Sequence, residues 1–374
     1  IQQDQANNNG LVSAAKNLVI DAKNLTNNHT LQANVVDLKV NNLLNQKDIL
    51  AENRVNLNAQ TDISNTGEIY ANNLVDIVAG NAVTNKNKIY TARDGNSKVS
   101  IKSAALINDL PKTGLITSDQ LIIKANDIKN SAKILAGQAN ISAQNGKDKT
   151  KLANIGSSSF ALQNNVTQNA SNLNADIINN KSANFYLDDA GIVTVSGELN
   201  NKGLIYAGNH SDLSLKSLLT SNEAKVVLDQ SNLKVSENFV NKGNISATDG
   251  SNLNFSALTN QANLILEDSA LNVTGHLTNQ ASSTSQQAII NAAGNSSITA
   301  KTLDNENLIF GSDKQGHLLI DADQVNLKEN SGLISQGQLS INTNKTTKNT
   351  VTNLGQIFSQ SDLTIGKKGA AVTD

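Results

Sequence analysis

Cysteine, methionine and tryptophan are absent from this 374-residue chain, proline occurs once, and aromatic residues make up only 3%. Without cysteine there is no disulfide, no thiolate metal site and no cysteine nucleophile. Charge is scarce as well, at 17% against the usual quarter or so. The 30 Lys and Arg balance 32 Asp and Glu to a net charge of −2 and form no cluster. Neither nucleic acid nor an anionic lipid surface is therefore expected as a partner. No apolar run approaches the roughly 18 residues of a spanning helix, and the charged-then-apolar opening of a signal peptide is missing. A chain that begins at Ile1 and holds no methionine is expected to be a piece of a longer protein.

Asparagine is abundant, with 59 copies, about one residue in six. A disordered Asn-rich tract would carry few apolar residues, yet these are 38% of the chain and regularly spaced. The spacing is a repeat: apolar, any, Asn, any, Gly or Ala, any, Ile or Leu. Ile63 to Ile69, Leu199 to Ile205, Phe239 to Ile245 and Val351 to Ile357 are good copies. The Asn recurs at Asn8, Asn27, Asn45, Asn65, Asn85, Asn108, Asn130, Asn154, Asn180, Asn201, Asn222, Asn241, Asn260, Asn279, Asn305, Asn330 and Asn353. After each anchor, apolar residues alternate, as in Val99 and Ile101 or Leu253 and Phe255. Alternation with period two means strand with one face inward.

Units of roughly 21 residues leave no room for a helix and lack the leucine-rich-repeat core. The expectation is an all-β fold, a right-handed parallel β-helix (solenoid) of about 17 coils running through residues 1–374 as one segment. Asn and Gly should supply positive φ at its turns. Stacked Asn amides should hydrogen-bond from coil to coil, with Asn65, Asn85, Asn201, Asn222, Asn241 and Asn260 as members of the ladder. Irregular coils are expected around 91–98, 109–113, 144–178, 280–288 and 343–350, where extra polar residues must leave the strands as loops.

Segments such as Asn85 to Thr91 (NKNKIYT) and Asn353 to Gly366 (NLGQIFSQSDLTIG) resemble the repeats of filamentous haemagglutinin-type exoproteins. These are the long secreted β-helices of Gram-negative two-partner secretion, and they include the stalks of contact-dependent growth inhibition effectors. The resemblance covers most of the chain and weakens between Gly146 and Ile178. It implies export through an outer-membrane transporter partner, secretion, and display on the bacterial cell surface. It also implies a stalk role in a growth inhibition effector, with a host-cell adhesin or haemagglutinin as the alternative. The family's Asn-Pro-Asn-Gly-Ile secretion motif is absent.

Polysaccharide-degrading β-helix enzymes are the opposing class. Asp188-Asp189 is the only adjacent Asp pair, but no Gly-His-Gly or Arg-Ile-Lys accompanies it, and arginine occurs only at Arg54 and Arg93. His29, His210, His276 and His317 fall in turn-like segments far apart, without ligand spacing. The expectation is a non-enzymatic, monomeric chain with no cofactor and no metal. Tyr70, Tyr90, Tyr206, Phe310 and Phe358 each follow an anchor Ile and should face outward, with Phe185 aligned to Tyr206. Exposed rings beside charged loops suit recognition of a protein or glycan receptor on a target cell. The candidate receptor-binding residues are Tyr70, Tyr90, Arg93, Asp94, Lys98, Pro111 and Lys112.

Overall fold

A computed structural model describes residues 3–146, 148–163, 170–188, 191–281, 287–343 and 350–367. Parts of the expected irregular regions 144–178, 280–288 and 343–350, and Asp189, lie outside the described residues. The protein is all-β, 72% strand, with parallel coils stacked as a β-solenoid of about 17 turns. No helix forms among the described residues. Contacts group the chain into two compact units, Ile1–Gly197 and Glu198–Asp374.

In the first unit, the alternation of apolar and polar residues places every second side chain on one interior column. Leu31, Ile49, Ile69, Ile89, Ile116, Ile134, Phe160 and Phe185 stand in register from coil to coil. All are fully buried. Val36, Val55, Val75, Val99 and Leu121 form a second column. Each such side chain removed from water contributes about 1.5–3 kcal/mol, so a narrow core of repeated Ile, Val and Leu is sufficient to bind coil to coil.

The second unit repeats the scheme with Ile205, Val226, Ile245, Leu264, Ile290, Ile309 and Leu333 in one column. Leu213, Leu233, Leu253, Leu271, Ile298, Ile320 and Ile341 make the other. Phe239 and Phe255 meet inside at 5.3 Å between centroids.

The Asn column lies at one corner. In the first unit Asn8, Asn27, Asn45, Asn65, Asn85, Asn108, Asn130 and Asn154 each donate Nδ2–H to the Oδ1 of the next, at 2.7–3.3 Å. The last acceptor is Asn179, not Asn180. Asn179 is buried in strand Ala175–Asn179, while Asn180 has passed the corner and is half-buried. Second amide hydrogens reach strand carbonyls, as Asn108 does to Lys133 at 2.9 Å. The side chains thus link the coils at the corner and add a second donor to carbonyls such as that of Asp48, which accepts from both Asn27 Nδ2 and Leu31 N.

Two anchors in the second unit are corrected. Asn222 is exposed, and buried Thr220 takes its place, donating its hydroxyl to Asn241 Oδ1 at 3.2 Å. Strand Asp212–Thr220 ends two residues earlier than the repeat spacing implies, which carries Asn222 out into the turn. Asn330 is likewise exposed in a turn with φ of 64°, and Leu327 stands opposite Asn305. Asn241, Asn260, Asn279 and Asn305 remain linked at 2.8–2.9 Å. Asn201 is buried and donates to the Lys225 carbonyl at 3.0 Å.

The glycines after the anchors serve a different purpose from the one expected. Gly67 and Gly243 do not have positive φ. A Cβ at Gly67 would strike the backbone of Lys47, and one at Gly243 would lie 2.6 Å from the Ala224 carbonyl oxygen. They are needed for close approach between coils.

Candidate recognition surface

Outward residues form columns as regular as the inward ones. One runs through Ser13, Gln32, Leu50, Tyr70, Tyr90 and Thr117 in successive coils of the first unit. Strand Glu68–Ala71 buries Ile69 and Ala71 and therefore turns Tyr70 out, and strand Lys88–Thr91 does the same for Tyr90. The two rings lie 4.7 Å apart at 39°. Such a pair contributes about 0.5–1.5 kcal/mol beyond its buried area.

Polar contacts fix both rings. The Tyr70 hydroxyl donates to Asn72 Oδ1 at 2.6 Å. The Tyr90 hydroxyl donates to Glu68 Oε2 at 2.8 Å, while Lys88 Nζ donates to Glu68 Oε1 at 2.7 Å. Lys88 also approaches the face of Tyr90, at 5.9 Å from the centroid. The Lys88 hydrogen bond is the main force holding the Glu68 carboxyl below its ordinary range. Burial, and then the hydrogen bond to anionic Glu68, push the Tyr90 phenol up to about 12.

The loop after Tyr90 is folded down. Arg93 Nε faces Asp119 Oδ1 at 3.9 Å, and Arg93 Nη2 donates to the Gln163 carbonyl at 3.5 Å. Asp119 is buried, and its Oδ2 accepts from Gly95 N at 2.7 Å, Ser97 N at 3.1 Å and Ser97 Oγ at 2.8 Å. One carboxylate from the next coil thus pins the loop. Arg93 was expected in a protruding loop beside Tyr90; its charged end instead packs against this buried anion, because leaving Asp119 without a cation in the interior would be costly. Asp94 is exposed and caps the backbone N–H of Asn96 at 3.2 Å.

Lys98 belongs to strand Lys98–Asn108, in register with Leu74 and Gln120, and so to the next face of the coil. Pro111 and Lys112 are exposed in a turn closed by Thr113 N and Gly114 N on the Leu110 carbonyl. That turn meets the chain at Lys86, whose carbonyl accepts from Thr113 Oγ1 at 2.8 Å. It therefore lies before strand Lys88–Thr91, and the Arg93 loop lies after it. The candidates flank the tyrosine pair from opposite ends.

Other placements differ from the expectation. Phe185 faces the core and stacks on Phe160 at 5.6 Å and 3°, and its neighbour Tyr186 takes the outward position, because strand Asn184–Asp188 is offset by one residue from the assumed alignment. Asp188 ends that strand, half-buried. His276 and His317 lie on strands, the latter with Nε2 at 2.8 Å from Ser340 Oγ, while His29 and His210 lie in turns. No group of three or more metal-ligating side chains occurs among the described residues. No family model, curated protein or solved structure matches the chain.

Asp119 escaped sequence reasoning. Its signal was the run Thr117-Ser118-Asp119, three consecutive polar residues that interrupt the alternation inside a strand, and all three are buried where a regular strand would bury only every second one. The second unit hides a comparable feature. Ser211 N donates to Ser231 Oγ and Ser231 N to Ser251 Oγ, both at 3.1 Å, at the corner that follows the outward aromatic position. The residue before each of these serines has positive φ: His210, Gln230 and Gly250. Ser-any-Leu at 20-residue intervals was the available sequence signal.

Proposed function

We propose that this chain is a stalk segment of a secreted, surface-displayed exoprotein of the contact-dependent growth inhibition kind, with a lateral surface that contacts a receptor on another cell. In this reading it passes through an outer-membrane transporter partner and works without catalysis or cofactor. A parallel solenoid grows by adding one coil to the last, each coil templating the next. That suits a chain folding as it leaves a pore. The secretion route rests on the resemblance of the Asn-any-Gly-any-Ile repeat. The recognition role rests on one observation: Tyr70 and Tyr90 form a paired outward aromatic surface, Tyr90 held by Glu68 and Lys88 and Tyr70 by Asn72. Rigid rings lose little entropy on binding.

The test is direct binding of the labelled, purified chain to cells. Saturable binding to bacteria, lowered at least tenfold by a Tyr70→Ala, Tyr90→Ala double variant with an unchanged circular dichroism spectrum, is the expected result. Binding to animal cells alone would move the assignment to a host-cell adhesin. No saturable binding to either would remove the recognition role.

A further inference from the structure

Beside Tyr70 the first unit has a groove of about 390 Å³ that crosses four successive coils. Its origin is the corner after the outward column. Strands Val12–Asn27, Leu31–Asn45 and Ile49–Ala59 run through this corner with shifts of register after Ala14 and Ala33. The residues just before the bend are Ala14, Ala33, Ala51 and Ala71, one above another. Methyl groups at a tight bend leave a concave floor. At the next coil, residues 92–97 thicken the corner under the hold of Asp119, so the groove ends at the tyrosine pair.

We propose that this groove binds a neutral, linear oligosaccharide lying along the axis, with Tyr70 as the platform for its last ring; this rests on the recognition reading and specifies its ligand. Three observations select that chemistry. The groove runs across the strands, whose N–H and C=O groups are already paired with adjacent coils, so an extended peptide would find no backbone ladder to join. Sugar hydroxyls need only side-chain donors and acceptors, and each coil offers some: Ser13, Gln32, Asn34, Glu52 and Asn72. The side chains of Glu52 and Asn34 make no hydrogen bond or ion pair with other described residues.

Charge supplies the third. No Lys or Arg lines the groove and Glu52 does, which disfavours acidic sugars. The dimensions agree with an extended glycan. Coils about 4.8 Å apart carry the floor over roughly 14 Å from Ser13 to Tyr70, a step close to that of one sugar ring per coil. The exposed face of Tyr70 suits the apolar C–H face of a pyranose, as amphipathic rings do at wet binding sites.

The experiment is titration of the 374-residue chain with cellotetraose, maltotetraose and chitotetraose, read by saturation-transfer NMR and calorimetry. At least one should bind with millimolar or tighter affinity. Tyr70→Ala should weaken it at least tenfold and Glu52→Ala at least threefold, while Phe358→Ala in the second unit leaves it unchanged. Absence of binding by all three sugars, or binding that Tyr70→Ala does not alter, overturns the proposal. If the chain still binds cells while no sugar binds, the groove assignment fails and the recognition reading survives; if neither binds, both fail.

Discussion

In the first unit nine asparagines from Asn8 to Asn179 join coil to coil without a gap, whereas in the second the same column is interrupted by Thr220 and Leu327. The units also differ at the corner after the outward aromatic position. In the first, Ala71 and Leu74 are separated by two residues and the corner is concave. In the second, Ala207 and Asp212 are separated by four, with left-handed Asn209 and His210 and buried Ser211 filling the bend. What the solenoid requires is that turn groups be satisfied, and any residue that does so is tolerated. Where the asparagine ladder fails, Thr220 accepts from Lys242 N at 2.9 Å, and the serine corner adds bonds that the tight alanine corner does not make. The tight corner leaves room for a ligand; the filled one does not.

The largest effect should come from breaking the unbroken column. Asn85→Leu deprives Asn65 of its acceptor and Asn108 of a donor, and it removes the side-chain donor that reaches the carbonyls of Asn87 and Leu115. A loss of about 3 kcal/mol is expected in urea unfolding, since each buried orphan group costs about 1–3 kcal/mol and neighbours relax only in part.

At the serine corner, Ser231→Ala removes the acceptor for Ser211 N and the bond to the Asp229 carbonyl at 2.8 Å. The expected loss is about 1–2 kcal/mol in the same assay. A negligible loss would show that the serine corner does not compensate for the missing asparagines.

Within the tyrosine pair the test is titration. Because the folded-state pKa of Tyr90 is raised from 10.0 to about 12, the folded protein favours the neutral phenol. Its contribution to stability is complete below pH 10 and falls as pH rises through 12. Phenolate absorbance should show one late ionisation near pH 12 that Tyr90→Phe abolishes and Glu68→Gln brings lower. Glu68 has the opposite sign: its folded pKa is depressed, so its contribution is present above the ordinary value of 4.5 and is lost as pH falls through the folded value. The effect is small, because Lys88 and Glu68 are partly exposed and such pairs contribute about 0–1 kcal/mol.

The smallest effect belongs to Asn222→Ala, at an exposed turn, with a change within about 0.5 kcal/mol. A loss approaching that of Asn85→Leu would break the distinction between ladder and turn asparagines.

The repeat made the fold legible. Alternating apolar residues at one period put strands in parallel coils with Ile69 and Ile89 inside and Tyr70 and Tyr90 outside, because side-chain direction along a strand follows from count alone. Where a coil gains or loses a residue, counting misplaces the side chain: it puts Asn222, Asn330 and Phe185 in columns that other residues occupy.

The sequence by itself determined the architecture and the outward direction of the tyrosine stripe, since both depend on local periodicity. Tertiary structure decided how the corners were filled. The pairing of Arg93 with Asp119, the serine corner and the alanine-floored groove all join residues of different coils, roughly 20 or more positions apart. Their geometry depends on how sharply each bend turns, and that follows from packing against the coils on either side rather than from the residues at the bend alone.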